Sequence, residues 1–189
     1  MSTNKRDDIM KAALELFAER GFDGTTVPTI AEKAKVGAGT IYRYFENKEV
    51  LVNSLFQEVM EQLSNQLLTN QPLADVPIRE QFRHIVSQVV EFANHHDRAL
   101  AFIDSHANAP FLDQASRDTF EHFLGFIRSI LDEGKRQGVI CSLPSDALIA
   151  IVYGALVRLL MFMKKGIVEN SSELLNQAEA CCWNAIRVH

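Results

Sequence analysis

Residues 36–51, VGAGTIYRYFENKEVL, place hydrogen-bond donors beside backbone that is almost bare of side chains. Thr40, Tyr42 and Arg43 supply two hydroxyls and a guanidinium group, and Gly39 precedes them. A guanidinium group can bind the O6 and N7 atoms of guanine with two parallel hydrogen bonds. Glycine lets backbone approach another surface closely. Together these residues favour a surface that binds duplex DNA.

A helix over residues 38–45 would separate these side chains from the apolar ones. At about 100° per residue, Ile41 and Phe45 fall together and face inward. Gly39 and Arg43 then lie on the opposite face, flanked by Tyr42 and Thr40. The same outer face could instead be a solvated helix surface or a protein interface, which is the simpler alternative.

The preceding residues predict two further helices. Apolar residues recur every three or four positions between residues 9 and 17, which indicates a first helix over about residues 5–20. Thr26 is typical of an N-cap and Pro28 of a first turn, so a short second helix follows and ends near Lys35. Two short helices joined by a tight turn predict a helix-turn-helix, whose second helix enters the major groove.

The chemistry of each side chain indicates what it would contact. We expect Thr26, Tyr44 and Lys48 to hold phosphates, which positions a protein on DNA without reading its sequence. Arg43 is suited to guanine, and Thr40 and Tyr42 to a thymine methyl group or a phosphate. The predicted DNA-binding residues are Thr26, Ala38, Gly39, Thr40, Tyr42, Arg43, Tyr44 and Lys48.

Residues 9–51 resemble the N-terminal signature of the TetR family of transcriptional regulators. The run ALELFAERGFDGTT leads to IAEKA, then to GTIYRYF, and finally to NKEVL, all at the spacing of that family. The resemblance implies a homodimer in which each subunit carries an N-terminal DNA-binding domain and a larger helical ligand-binding domain. The partners implied are a palindromic operator in double-stranded DNA, a second copy of the chain and an unknown small-molecule effector.

The resemblance also implies roles for individual residues. Thr26 and Tyr44 match phosphate-contacting positions, the residues from Ala38 to Arg43 include the recognition-helix positions, and Lys48 matches the lysine that opens the fourth helix. Two positions depart from the family pattern. Gly37 stands where Ser or Thr is frequent, so a side-chain cap is absent, and Ala38 stands where a longer polar residue is frequent.

The remaining chain predicts only helices. Helical periodicity indicates further helices at about residues 48–68, 78–95, 98–107, 113–136, 146–164 and 172–187. We therefore expect an all-α fold of about nine helices, with a DNA-binding domain at 1–50 and an effector-binding and dimerisation domain at 51–189. The helix over about 48–68 connects the two.

Aromatic residues of the C-terminal part could line an apolar pocket. An apolar or aromatic effector would lie between the helices of about 78–95, 113–136 and 146–164, with Tyr153 or a histidine as polar anchor. Most of these side chains could equally be plain core. The predicted lining residues are Phe92, His95, Phe102, His106, Phe123, Phe126 and Tyr153.

The last two helices form the predicted dimer seam. In a two-fold pair they would bury Leu156, Leu159, Leu160 and Trp183. Arg158 in that setting needs a carboxylate or carbonyl partner. Packing within a monomer is the alternative.

Several classes of protein and site are disfavoured. Cys141, Cys181 and Cys182 provide neither a disulfide framework nor zinc-site spacing, and the N-terminus has no apolar signal segment, so we expect a cytoplasmic protein. The apolar run 147–163 is shorter than the roughly 20 residues that span a bilayer and contains Arg158. We therefore predict a helix buried in a core or dimer interface, and no membrane partner.

Histidines and carboxylates could hold a divalent metal at one corner of the bundle. The residues concerned are His95, His96, Asp97, Asp104, His106 and His122. The i, i+4 spacing is absent, however, and neighbours such as His95 and His96 point to different sides of a helix. We predict no metal site and no cofactor, and, since no nucleophile–base pattern is visible, no enzyme.

The expected function is repression of a promoter by a dimer that a small effector releases from DNA. Whether the effector releases or promotes DNA binding stays open. One alternative is a regulator without an effector that is controlled by a protein partner. Another is a helical ligand-binding protein or enzyme whose N-terminal helices are only a scaffold.

Overall fold

Short-range capping interactions determine where most helices begin. The first helix begins at Lys5 because the Asn4 side chain accepts a hydrogen bond from the amide of Arg6. Thr26 and Thr29 form a reciprocal capping box at the second helix, and Asn47 accepts from the amide of Val50 at the start of the fourth. These are local contacts, which is why the sequence locates the helix starts well.

The computed structural model of the chain describes residues 4–69, 76–96 and 98–189. These ranges contain nine helices and one isolated bridge between Ile140 and Arg187, which confirms the predicted all-α fold. The predicted loop over 69–77 lies largely outside the described residues. The helices are α1 Lys5–Arg20, α2 Val27–Lys33, α3 Ala38–Tyr42, α4 Lys48–Leu68, α5 Ile78–His95, α6 Ala99–His106, α7 Gln114–Arg136, α8 Ser145–Lys164 and α9 Ser172–Ile186.

The chain divides into two compact units. Unit 1 comprises Met1–Gln62 and His96–Glu121, and unit 2 comprises Leu63–His95 and His122–His189. Helices α4 and α7 therefore contribute residues to both. The predicted boundary near residue 50 separates a DNA-binding from an effector-binding domain, whereas the two compact units are defined by packing. The predicted boundary therefore stays a prediction.

Aromatic side chains form the centre of unit 1. Phe17, Phe56 and Phe102 are fully buried, and the ring of Phe102 lies 6.3 Å from that of Phe17 and 6.2 Å from that of Phe56. Burying a phenylalanine side chain stabilises a fold by roughly 1.5–3 kcal/mol. This cluster packs α1, α4 and α6 together and so supports the short helices α2 and α3.

In unit 2, a polar clamp joins α5 to α9. Arg79 donates two hydrogen bonds to the carboxylate of Glu179 and also lies 5.2 Å from the Trp183 ring centroid. Phe82 packs against the same indole, with ring centroids 5.3 Å apart. Trp183 is thus held by its own subunit.

Helix α8 is exposed over much of its surface. Among the described residues, it is the one helix that is long and apolar enough, by length and composition, to cross a membrane. Of an 18-residue apolar stretch within it, 22% is buried. The core helices of soluble proteins can pass the same test. Within its own chain α8 has four buried, eight half-buried and eight exposed residues, so one face is left uncovered, and the expectation of a helix in a core or dimer interface stays a prediction.

Candidate nucleic-acid interface

The turn between α2 and α3 has the geometry of a helix-turn-helix. Helix α2 ends at Lys33 with Ala34 as its C-cap, and the amide of Val36 donates to the carbonyl of Ala31. Lys35 adopts a left-handed conformation with φ 55°, and Gly37 is extended at the start of α3 without a side-chain cap. The predicted absence of a cap at Gly37 is therefore a feature of the structure.

Helix α3 is shorter than predicted. It ends at Tyr42 rather than near residue 45. The chain nevertheless continues to wind, because the amide of Phe45 donates to the carbonyl of Ile41 at 2.9 Å. Ile41 and Phe45 are buried, at 1% and 4% exposed, so the inward face is the one that the periodicity predicts.

The opposite face of this segment is open to solvent. Tyr42 is 56% exposed and Tyr44 is 41% exposed, and Ala38, Gly39 and Arg43 are also exposed. Thr40 is half-buried. The predicted recognition surface is thus not covered by the rest of its own subunit, although its contacts with DNA stay a prediction.

The glycines of this surface have no neighbour that requires their small size. A Cβ atom added to Gly37 or Gly39 would meet no heavy atom within 4 Å. Both have ordinary negative φ, so no backbone conformation demands glycine either. The bare backbone therefore serves no packing purpose within the chain and is free for close approach by a partner.

Lys48 holds the segment before α2 in place. Its ammonium group donates to the carbonyls of Phe22 and Thr25 at 2.8 and 3.0 Å, and lies 3.9 Å from the Phe22 ring centroid. This contact joins α4 to the loop that precedes the helix-turn-helix. Sequence reasoning missed the structural role, because these partners lie more than 20 residues away in the chain; the phosphate contact of Lys48 stays a prediction.

Arg6 is a second positioning residue that sequence reasoning missed. Its guanidinium group is hydrogen-bonded to Glu58 of α4 and lies 5.7 Å from the ring centroid of Phe45. It thereby fixes the end of the recognition segment between α1 and α4. Thr26, by contrast, is exposed, and its hydroxyl accepts from the amide of Thr29, which confirms the predicted N-cap of α2; its phosphate contact stays a prediction.

A buried polar network anchors the start of α7 on α4. Asn53, 4% exposed, accepts from the amide of Asp113 and the hydroxyl of Ser116, both at 2.8 Å, and donates to the carbonyl of Phe111 at 3.0 Å. The ring of Phe111 in turn stacks on Phe22, with centroids 4.0 Å apart. This network extends the support of the helix-turn-helix to the loop that precedes α7.

The cations of the helix-turn-helix differ in their partners. Lys33 forms an ion pair with Glu15 at 2.7 Å, and this hydrogen bond holds the pKa of the Glu15 carboxyl below its usual value. The pair therefore stays charged at neutral pH. Lys35 and Arg43 are exposed, and neither of them has a carboxylate partner in the described part of the chain.

The predicted effector residues are distributed over both units. Phe102 and His106 belong to unit 1, where they are buried in the aromatic core, and His106 bonds to the carbonyl of Phe102 at 2.9 Å. Phe92, His95, Phe123, Phe126 and Tyr153 belong to unit 2. Burial as core accounts for Phe102 and His106, and the role of all seven in effector binding stays a prediction.

The predicted dimer residues do not share one exposed face. Leu156 is 4% exposed, so it points into its own subunit, and Leu159, Leu160 and Trp183 are half-buried. The face of α8 that is exposed instead carries Ala150, Ile151, Gly154, Ala155, Arg158 and Phe162. Arg158 lies 6.0 Å from the Phe162 ring centroid on this face.

No cluster of three or more His, Cys, Asp or Glu side chains that could hold a metal ion occurs in the ranges that the structure describes. Asp97, one of the residues weighed for such a site, lies outside them.

The fold and the exposed recognition face define a helix-turn-helix protein. Residues 9–55 match the family model described as bacterial regulatory proteins of the tetR family, and residues 56–188 match the tetracyclin repressor-like C-terminal domain. The second match alone spans more than half of the chain. The chain therefore belongs to the TetR family, as its N-terminal motifs indicate.

Individual relatives agree with this assignment. The chain is 31% identical over 134 residues to the fatty acid metabolism regulator protein of Bacillus subtilis, covering 70% of this chain and 69% of that protein. It is 25% identical over 142 residues to the HTH-type transcriptional regulator YhgD of the same organism, covering 74% of each. Since the family consists of transcriptional regulators, the chain is a DNA-binding regulator and not an enzyme.

Solved structures share the fold. A TetR family transcription regulator from Marinobacter aquaeolei VT8 matches with a TM-score of 0.86 at 22% identity, covering 98% of this chain and 96% of that one. The transcriptional regulator FadR from Bacillus subtilis in complex with stearoyl-CoA matches with a TM-score of 0.72 at 22% identity, covering 97% and 99%.

Proposed function

We propose that this protein is a homodimeric, cytoplasmic repressor that binds a palindromic operator through the segment 38–45. The observation that carries the proposal is the open face of that segment, where Tyr42 and Arg43 are exposed above a buried Ile41 and Phe45. Family membership supports binding to double-stranded DNA and dimerisation. Two recognition helices about 34–36 Å apart would meet successive major grooves.

Substitution of the recognition face tests this proposal. Arg43→Ala removes the predicted guanine contact and should weaken binding to a duplex selected by the wild-type protein by about 1–3 kcal/mol, with relaxed preference at one base pair. Tyr42→Ala should also weaken binding. Fluorescence anisotropy measures the affinity, and circular dichroism and sedimentation check that both variants stay folded and dimeric.

Arg83→Ala is the matched control, because Arg83 is an exposed arginine of unit 2. It should bind the selected duplex as tightly as the wild type. The proposal fails if Arg43→Ala and Arg83→Ala bind equally well, since the exposed N-terminal face would then not be the recognition surface.

The effector that we propose is an apolar molecule of the fatty acyl class, bound by unit 2. Two proteins similar to this chain support that class, the fatty acid metabolism regulator protein and the FadR structure that holds stearoyl-CoA. Within unit 2, Phe123 and Phe126 of α7 are half-buried, whereas Phe92 is fully buried core. Apolar side chains that the subunit leaves half-covered are suited to line a ligand site.

Thermal-shift and DNA-release measurements test the effector. Stearoyl-CoA should raise the melting temperature and dissociate the complex with the selected duplex, whereas coenzyme A alone should do neither, because the apolar chain supplies the binding energy. Phe123→Asp should abolish both effects. A response to aromatic compounds and to no acyl chain would reassign the effector class, and no response to either would favour control by a partner protein.

A further inference from the structure

Two residues other than glycine adopt positive φ in the described part of the chain, Lys35 and Arg98. This conformation is strained for an L-residue with a side chain, and it is found where the surrounding structure or a function requires it. The two residues differ in the partners of their side chains. The guanidinium group of Arg98 is bonded to Glu19, whereas the described residues offer the ammonium group of Lys35 no partner.

The backbone at Lys35 is the left-handed end of α2. Its amide bonds to the carbonyl of Glu32 at 3.1 Å and the amide of Val36 to that of Ala31 at 3.0 Å. This pair of hydrogen bonds is the Schellman pattern, in which glycine is the usual residue at the position that Lys35 occupies. Packing within the chain therefore gives no reason for a lysine there, because glycine would adopt the same turn without strain.

The position of Lys35 brings its charge to the edge of the recognition surface. Only two residues, Val36 and Gly37, separate it from Ala38 at the start of α3, and the three Cα–Cα steps between them limit the distance between the Cα atoms of Lys35 and Ala38 to about 11 Å. Its side chain is exposed. A helix that enters the major groove, about 12 Å wide, has a row of phosphates on each side.

The charges of this region also favour a contact between Lys35 and a phosphate. Between Thr26 and Phe45 the cations are Lys33, Lys35 and Arg43, and Lys33 is neutralised by Glu15. Lys35 and Arg43 are therefore the charges of the helix-turn-helix that can meet a polyanion. If Arg43 reads a base, Lys35 is the cation of residues 26–45 that remains for the backbone, in addition to the predicted phosphate contact of Lys48.

We propose that Lys35 is a DNA-contact residue whose ammonium group binds a backbone phosphate beside the recognition helix, and that this contact is the reason for a strained lysine in the turn. The inference rests on the proposed binding of DNA through the segment 38–45. Such a contact contributes affinity that depends on salt but not on base sequence.

Three substitutions at one position separate charge from backbone strain. Lys35→Arg keeps the charge, Lys35→Gln removes the charge and keeps the strain, and Lys35→Gly removes both. Each is compared with the wild type by fluorescence anisotropy on the selected duplex and on a random duplex, between about 50 and 200 mM salt, where counterion release dominates binding.

Lys35→Gln and Lys35→Gly should weaken binding to both duplexes by about fivefold per lost phosphate contact at physiological salt, since each contact contributes a slope of about −0.9 in log affinity against log salt. The ratio of the two affinities should stay unchanged. Lys35→Arg should retain affinity and slope. Lys35→Gly should also raise the melting temperature by about 2–4 °C, so its weaker binding cannot come from a damaged fold.

The result that overturns the inference is wild-type affinity and salt slope in both Lys35→Gln and Lys35→Gly, while the wild type binds the selected duplex and Arg43→Ala binds it more weakly. If the wild type binds no duplex at all, the proposed function fails together with the inference. The binding of the wild type and of Arg43→Ala to the duplex therefore distinguishes failure of the inference about Lys35 from failure of the proposed function.

Discussion

At the scale of single residues, substitution of Gly39 should have opposite effects on thermal stability and on DNA affinity, because the surroundings of Gly39 are open. Gly39→Ala adds a methyl group that meets nothing in the chain and raises helix propensity, so the melting temperature should rise by about 2–4 °C. If α3 approaches DNA closely at this point, the affinity for the selected duplex should fall. Differential scanning fluorimetry and anisotropy measure the two effects.

Gly125→Ala is the control, because Gly125 is likewise an exposed helical glycine whose added Cβ meets nothing. The Gly125→Ala variant should have a higher melting temperature and the same affinity for DNA as the wild type. Unchanged binding by Gly39→Ala would show that the helix start stays away from the bases.

His106 should make stability depend on pH. Its ring is 2% exposed among Phe17, Phe102 and Phe111, and burial lowers the pKa of the imidazole below its ordinary value of 6.5. As the pH falls below that value, the unfolded chain binds a proton before the folded one. The free energy of unfolding should therefore decrease from pH 6.5 down to the lowered pKa and be unaffected by this residue above 6.5.

Melting temperatures at about pH 7.5 and 5.5 measure this contribution. The difference between them should be smaller in His106→Phe, which cannot be protonated, than in the wild type. His95→Gln, at an exposed position, should behave as the wild type does. An equal difference in all three proteins would contradict the assignment to His106.

At the scale of helices, the attachment of α7 to α4 depends on Asn53. Asn53→Ala would leave the buried hydroxyl of Ser116 without its acceptor and the carbonyl of Phe111 without its donor. The free energy of unfolding should fall by about 2–4 kcal/mol. Urea denaturation followed by circular dichroism measures the loss.

Asn65→Ala provides the comparison, since Asn65 is an exposed residue of the same helix. Its effect should stay within about 0.5 kcal/mol of the wild type. Equal stability of the two variants would mean that water replaces the contacts of Asn53.

Helix boundaries show how far sequence reasoning reaches at this scale. The start of α1 at Lys5 and the starts of α2 and α4 were predictable, because their caps involve residues two or three positions away. The end of α3 at Tyr42 was not, because there the amides of Arg43 and Tyr44 bond three residues back, to Thr40 and Ile41, and no capping residue in the sequence marks that change.

At the scale of the whole molecule, the uncovered face of α8 is the proposed contact between subunits. Ile151, 43% exposed, and Phe162, 37% exposed, flank Gly154, which has space above it for a neighbouring helix. Ile151→Glu would place a charge in this contact and should convert a dimer into a folded monomer. Sedimentation velocity measures the mass, and circular dichroism the fold.

Leu68→Glu, which adds the same charge at another exposed apolar position, should stay dimeric. Leu156→Ala should instead lower stability by about 2–4 kcal/mol without direct effect on the interface, because Leu156 is buried in its own subunit. A wild type that sediments as a monomer, or a dimer that survives Ile151→Glu, would rule out this face.

The helical fold class, the family and the inward and outward faces of the recognition segment can be predicted from the sequence alone. These follow from short-range chemistry: capping, helical periodicity and a compact run of motifs. Three features of the folded chain could not be predicted in this way: Lys48 clamps the loop before α2, Asn53 anchors α7, and α8 exposes Ile151 rather than Leu156. Each of these depends on partners far apart in the chain, and no periodic pattern encodes which of two apolar faces a neighbouring helix will cover.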